Sequence, residues 1–217
     1  LSPVPVVHCG TDLKWLKKYM NSGYDLIGLG GLVATKGKET WLDSAFNIVC
    51  DQPSRLPKVR IHGFGVTSCE LMLRYPWWSV DSTSWAKFPM YGLIIVPRRR
   101  GGRFVFSESP HSVRMAPEVR EGKCTGATRY LHSPPGGEIR KAVDAWLDYI
   151  EVPLGKYKDD INPKVGGEVA VPGVVTDDRL RKYACLRYFE EMRKHLPDWP
   201  WPWYLKSKGN ACGGFLA

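Results

Sequence analysis

Tyr24-Asp25-Leu26-Ile27-Gly28-Leu29-Gly30-Gly31-Leu32 is the stretch that decides the fold. It reads as a short apolar strand over 25–29 with its unusual residues, the paired glycines, gathered at its carboxyl end. Working outward, residues 4–9 read as a buried strand. A helix over 12–20 follows, with Leu13, Leu16 and Met20 on one face and Lys14, Lys17 and Lys18 elsewhere, and Gly23 ends it. On the other side, a loop with Lys36-Gly37-Lys38 leads into a helix over 39–50 that buries Trp41, Leu42, Ala45, Ile48 and Val49. The pattern then repeats. Residues 59–62 of Val59-Arg60-Ile61-His62-Gly63-Phe64-Gly65 form a strand, and 67–74 a short helix capped by Thr67 or Ser68 with Glu70 in its first turn. A fourth strand is expected over 78–81, in the stretch Ser79-Val80-Asp81-Ser82-Thr83-Ser84-Trp85.

Strand and helix alternating at spacings of roughly 20 to 30 residues predict βαβ units and a parallel sheet. In a β/α barrel the loops after the strands build the active face, so a lone carboxylate leaving a strand among small hydroxyl residues, Asp81, is a candidate nucleophile. Three such units do not close a barrel of eight strands. Either the remaining strands lie in a segment preceding Leu1, or another chain supplies them, or the sheet is open and doubly wound. The expected class is α/β: part of a TIM-type (β/α)8 barrel with parallel strands, followed by a β-hairpin and a helical C-terminal appendage. The expected domains are 1–90, the barrel units, and 91–217, a basic hairpin plus helices packing on the barrel.

After Trp85 the texture changes. Residues 91–97 and 103–107 are β-rich runs joined by Arg98-Arg99-Arg100-Gly101-Gly102, which predicts an antiparallel hairpin with a basic tip. Ile139, Ala142, Val143, Trp146, Leu147 and Ile150 recur at helical spacing, so 138–150 is a helix, stopped by the residues before Pro153. A Gly/Pro-rich loop leads to a last helix over 177–196 that buries Leu180, Ala184, Tyr188 and Met192. Trp199-Pro200-Trp201-Pro202-Trp203 favours extended backbone and reads as a cover for an apolar edge, with a stacking platform as the alternative.

A 43% hydrophobic and 24% charged composition is that of a globular protein rather than a disordered one. The longest apolar stretches fall far short of about 18 residues, and no signal-peptide order is present, so no membrane association is expected. Six cysteines, Cys9, Cys50, Cys69, Cys124, Cys185 and Cys212, lack any CxxC spacing; no zinc site is readable, and reduced thiols in a cytoplasmic compartment are expected. The net charge of +9, concentrated at Arg98, Arg99, Arg100 and Arg103 and along 179–194, suits a polyanionic partner.

The order of Val6-Val7-His8-Cys9-Gly10, Gly30-Gly31-Leu32, His62-Gly63-Phe64-Gly65 and Val80-Asp81-Ser82-Thr83-Ser84-Trp85 resembles the C-terminal half of tRNA-guanine transglycosylase barrels. Among these it looks most like the archaeosine type and the phage and bacterial relatives that place 7-deazaguanines in DNA. The resemblance covers residues 4–87. It implies that Asp81 attacks C1′ of a nucleotide, that Gly30, Gly31 and Leu32 contact the base, and that Gly63, Phe64 and Gly65 shape its pocket. His8, or Cys9 beside it, stands where the family often carries a base-touching glutamine. The implied reaction is nucleobase exchange, guanine replaced by a 7-deazaguanine through a covalent aspartyl-sugar intermediate, with no metal or redox cofactor. The implied partner is nucleic acid, and DNA is preferred over tRNA because the family's cysteine/histidine zinc cluster is replaced by the basic hairpin. The implied localisation is the cytoplasm, the host's for a phage-encoded protein. The family's second aspartate belongs to strands earlier than those present, which implies a second chain or a preceding segment.

Beside that resemblance stand plainer readings of the same residues. Asp81 can simply end a strand, Gly30-Gly31 can serve a tight turn, and His8 can be structural. Ser82, Thr83 and Ser84 leave room for a flipped nucleotide and can hydrogen-bond ribose or phosphate, while Arg98, Arg99, Arg100 and Arg103 can track phosphates or form a solvated turn. The alternative function is a catalytically silent barrel relative that binds nucleic acid or serves as an assembly subunit.

Overall fold

The computed structural model describes residues 3–33, 35–116, 128–130, 133–158 and 168–204. These fall into two compact units, residues 3–67, 71–82 and 197–204 in the first and 68–70 with the described part of 83–196 in the second. The stretch from Pro197 therefore belongs with the amino-terminal unit rather than with the helices it follows.

The first unit runs β1 (Val6–His8), α1 (Lys14–Asn21), β2 (Leu26–Gly30), α2 (Lys38–Val49), β3 (Arg60–Gly63) and, after α3 (Cys69–Arg74), β4 (Ser79–Val80). Its four strands are all parallel and stand in the order β1-β2-β3-β4. The α/β class and the parallel sheet are as the alternating pattern predicts; four strands make a sheet, not a closed barrel. Parallel crossovers are right-handed, so strands laid down in one unreversed order carry their connecting helices on a single face. Burial agrees. Val7, Ile27, Leu29 and Ile61 alternate onto one face and are at most 2% exposed, whereas Val6 on the opposite face is 37% exposed.

Leu42, Ala45, Phe46 and Val49 of α2 are buried, and Phe46 stands edge-on to Trp77 with centroids 5.0 Å apart. Gly63, on the Ile61 side of β3, would place a Cβ 3.0 Å from that same indole. The helix-covered face is thereby tied to the core. α1 buries only Leu16, and Asp12 Oδ1 accepts from the Lys14 N–H at 2.8 Å at its start. Tyr75, fully buried, stacks on Phe46 and donates to Asp43 Oδ1 at 2.8 Å, while Arg74 Nη2 reaches both Asp43 oxygens at 2.7 Å. Burial, followed by the Asp43 hydrogen bond, pushes the Tyr75 phenol far above its ordinary range.

Two sequence expectations fail here for identifiable reasons. The strand expected over 78–81 is confined to Ser79–Val80, because the chain turns into an unforeseen helix, α4 (Ser84–Met90), at whose start the Thr83 main-chain carbonyl accepts from the Lys87 N–H at 2.9 Å. The other concerns the hairpin. β5 (Leu93–Val96) does not pair with the run after the arginines; it pairs antiparallel with β8 (His111–Arg114), which lies parallel to β9 (Thr128–Arg129). Arg98–Arg100 is itself strand β6, paired with β7 (Arg103–Val105), and the tip is Gly101-Gly102, at φ +54° and +83°. Two successive left-handed residues are what a two-residue hairpin loop demands, and Pro97, lacking an N–H, separates β5 from β6.

In the second unit, α5 (Glu138–Tyr149) and α6 (Asp178–Arg193) flank β5, whose four residues are all buried. Trp146 of α5 is fully buried against Phe104 of β7, and α6 buries Ala184, Cys185, Tyr188 and Met192. Within the expected Gly/Pro-rich loop, β10 (Lys156–Tyr157) and β11 (Val169–Val171) pair antiparallel. Glu191 is buried and fastens this unit: it accepts from Lys194 at 2.8 Å, Tyr149 at 2.9 Å and Arg187 at 3.2 Å. The Lys194 hydrogen bond, with help from Tyr149, holds its carboxyl below the usual range against the opposing effect of burial.

A folded-state pKa below the unfolded one contributes stability that is complete above the unfolded value and is lost as pH falls through the folded one. Glu191→Gln is accordingly expected to lower stability by about 1–2 kcal/mol at neutral pH, with the gap to wild type closing below about pH 4. Denaturant melts of both proteins across pH 3 to 8 (a range set by the ordinary carboxylate titration, about pH 4) check it; a gap that does not depend on pH contradicts it.

Among the described residues no helix is long and apolar enough to cross a membrane. Cys124 and Cys212 lie outside the described residues.

Candidate functional site

The carboxyl edge of the parallel sheet is built by register. His8 is opposite Gly30, Leu29 opposite Gly63, and Gly63 opposite Val80, so the residues just beyond each strand meet along one edge. Side chains alternate along a strand; His62 and Ser79 therefore share the face not covered by helices, and Asp81, two residues past Ser79, continues it.

Asp81 is held at both main chain and side chain. Its N–H donates to Gly63 O at 3.1 Å, and its Oδ1 accepts a short hydrogen bond from the Gly65 N–H. Oδ2 remains, on a side chain that is 55% exposed, 3.8 Å from His62 Nε2. At that separation the two are not hydrogen-bonded, and they attract only when the imidazole is protonated. The other ring nitrogen, Nδ1, lies 2.8 Å from Ser79 Oγ, which fixes the ring's orientation, and Phe64 meets the ring edge-on at 4.4 Å.

Gly65 sits at φ +70°, and a Cβ there would fall 2.6 Å from Val33 Cγ2, so both conformation and space reserve the position for glycine. The backbone N–H that grips Asp81 depends on that turn. Gly28 lies beneath Phe64, whose ring would be 2.6 Å from a Cβ added there, which leaves Phe64 lying along the open face and 38% exposed.

His8, exposed at the end of β1, arches over the glycine pair: Cβ atoms added at Gly30 or Gly31 would come within 3.4 Å of its ring. Gly31, at φ +69°, also approaches the Cys9 N–H, which donates to Gly30 O at 2.8 Å. Burial pushes the Cys9 thiol up despite the opposing charge of Lys38. Leu32 is 2% exposed, which makes it a core residue and not a cover on an open face.

The first unit thus brings together His8, Gly30, Gly31, Gly63, Phe64, Gly65 and Asp81 along one sheet edge, with Ser82 following directly. Thr83, Ser84 and the arginines belong to the second unit. There Arg98 donates to Ser109 O at 2.8 Å and lies 3.7 Å from Glu108, Arg100 pairs with Glu108 at 3.2 Å, and Arg99 donates to Gly102 O at 3.1 Å. Arg98 and Arg100 have their charge partly answered by Glu108, whereas Arg99 and Arg103 form no ion pair among the described residues.

No family model, curated protein or solved structure matches this chain. Its chemistry is therefore argued from the edge itself. A half-exposed carboxylate with one oxygen clamped by a backbone N–H and the other directed to open space is suited to nucleophilic attack on an electrophilic carbon. Sequence reading passed over the His62–Ser79 pair and Gly28. The signal was present: His62 precedes Phe64 by two residues, as Ser79 precedes Asp81, so period-two alternation places all four on one face.

Proposed function

We propose that the first unit is the carboxyl-terminal portion of a TIM-type (β/α)8 barrel and that the protein is a nucleobase-exchanging glycosyltransferase of the tRNA-guanine transglycosylase kind. The observation that carries this is the fixing of Asp81 by Gly65 at the carboxyl edge, with Oδ2 left facing the open side. The barrel reading is supported by the unreversed parallel strand order and by the uncovered face bearing His62, Ser79 and Phe64, which would be the lumen. Four further strands, from another chain or from preceding sequence, would complete it.

In the proposed reaction Asp81 Oδ2 attacks C1′ of a guanine nucleotide while the C1′–N9 bond breaks, its electron pair leaving with the base, which takes up a proton. A 7-deazaguanine then attacks C1′ through N9 and loses its N9 proton, and the departing C1′–O electron pair restores the carboxylate. The positive character that develops on the sugar is what the carboxylate stabilises and traps. The nucleotide must leave the base stack to reach the edge, and the base would be met there by the His8 ring, which lies over Gly30 and Gly31. No metal or redox group is needed for these steps. DNA is the proposed polymer, with tRNA as the other candidate.

The test is exchange. DNA and tRNA carrying radiolabelled guanine are each incubated with the native assembly and an excess of a 7-deazaguanine base. Loss of label from an intact strand is expected, with DNA the better substrate. Binding of the polymer without loss of label would replace this reading with that of a silent nucleic-acid-binding relative.

A further inference from the structure

α1 carries a surface that the sheet edge does not use. With 3.6 residues per turn, Lys17, Lys14, Lys18 and Trp15 follow one another around an arc of about 160° on the side away from buried Leu16. Trp15 is 43% exposed, while Leu16 is the helix's buried residue. Lys18 Nζ lies 5.0 Å and Lys14 Nζ 5.9 Å from its ring centroid. Beyond Trp15 the aromatic surface continues to Tyr19, edge-on to Tyr24 at 5.9 Å. The carboxylate beside this face is Asp12, 3.3 Å from Lys14, while Lys17 and Lys18 form no ion pair among the described residues.

We propose that this face of α1 is a docking surface for a single-stranded nucleic-acid segment. Ammonium groups set around an exposed indole supply both things an unpaired strand offers to bind, phosphate charge and a base face. The stacking is tolerant of sequence, because every base has a π-face. Charge complementarity selects a polyanion, and the lack of an apolar stripe selects a strand over an anionic membrane. A helix lying in a bilayer interface needs an apolar stripe to insert, and here Leu16 is committed to the core while Leu13 and Met20 are half-buried, which leaves the indole alone. The proposal rests on the reading above only for the choice of polymer; the surface holds a strand whether or not Asp81 reacts with it.

Fluorescein-labelled dT15 is titrated with the native assembly, with anisotropy as the readout, over a series of salt concentrations. Trp15→Ala is expected to weaken binding about tenfold with the salt dependence unchanged, and Trp15→Phe to retain most of the affinity. The triple variant Lys14→Gln, Lys17→Gln, Lys18→Gln is expected to lower the salt slope by about 2, at about 0.7 per lysine on a single strand. All four positions are exposed, and unchanged circular dichroism identifies folded variants. Wild type failing to bind dT15, or variants binding as wild type does, overturns the proposal. So does tighter association with phosphatidylserine vesicles that depends on the same residues. Base exchange is followed in the same proteins, so failure of the catalytic reading, no exchange with dT15 binding intact, and failure of this surface, no effect of the α1 variants on dT15 binding, give different patterns.

Discussion

Asp81→Asn is expected to lower covalent capture of a guanine-containing oligonucleotide, and base exchange with it, by at least about a thousandfold, since removing a nucleophile removes the route and not only some stabilisation. The substitution is chosen for what it leaves alone. An asparagine carbonyl can still accept from the Gly65 N–H, and the Asp81 main chain still bonds Gly63, so the strand end keeps its shape. What changes is Oδ2, the atom near His62, which becomes an amide nitrogen without a nucleophilic lone pair. Denaturing gels for the adduct and label release for exchange measure the effect. A fall of less than tenfold in a folded variant means that Asp81 only ends a strand, the plainer reading that its setting among hydroxyl residues also allows.

Trp203→Ala is expected to cost about 3–5 kcal/mol, the range for truncating a large buried aromatic side chain. Trp203 is 2% exposed and stacks on Tyr75 at 6.3 Å with Phe46 beside it, while its main-chain N–H, which the substitution keeps, donates to Arg55 O at 2.9 Å. Nearby, the Trp199 indole donates to Pro76 O at 3.1 Å. These contacts pin the segment running from Arg74 to Trp77 directly before β4, the strand that Asp81 follows. The loss is therefore expected to appear twice, as a lower urea midpoint and as weaker adduct formation near that midpoint. Trp203→Phe is expected to recover part of both. A Trp203→Ala protein with an unchanged midpoint contradicts the placement of the tail in the core of the first unit.

The contrast between these two positions says what the sequence could reveal. Apolar periodicity located β1, β2, β3 and all of the longer helices to within a few residues, because each repeats a pattern set by its own geometry. The Trp-Pro run of the tail also put Trp203 on an apolar edge. It did not say which edge, because the tail packs on residues more than a hundred positions earlier, and local pattern carries no such information. The β5–β8 pairing was hidden for the same reason, and the arginine run read as a turn because three like charges resemble a loop more than a strand. At the sheet edge, the glycines and Asp81 were legible as residue types. The grip of Gly65 on Asp81 was not, since it depends on the neighbouring strand's turn standing at the right height.

The account stands most directly on the identity of the residue that becomes covalently attached. The native assembly is incubated with a guanine-containing DNA oligonucleotide in the absence of an incoming base, denatured and digested, and the adducted peptide is sequenced by mass spectrometry. The account predicts the nucleotide on Asp81, in the peptide carrying Ser79-Val80-Asp81-Ser82. An adduct on any other residue, or bound DNA and tRNA with no adduct at all, would contradict it.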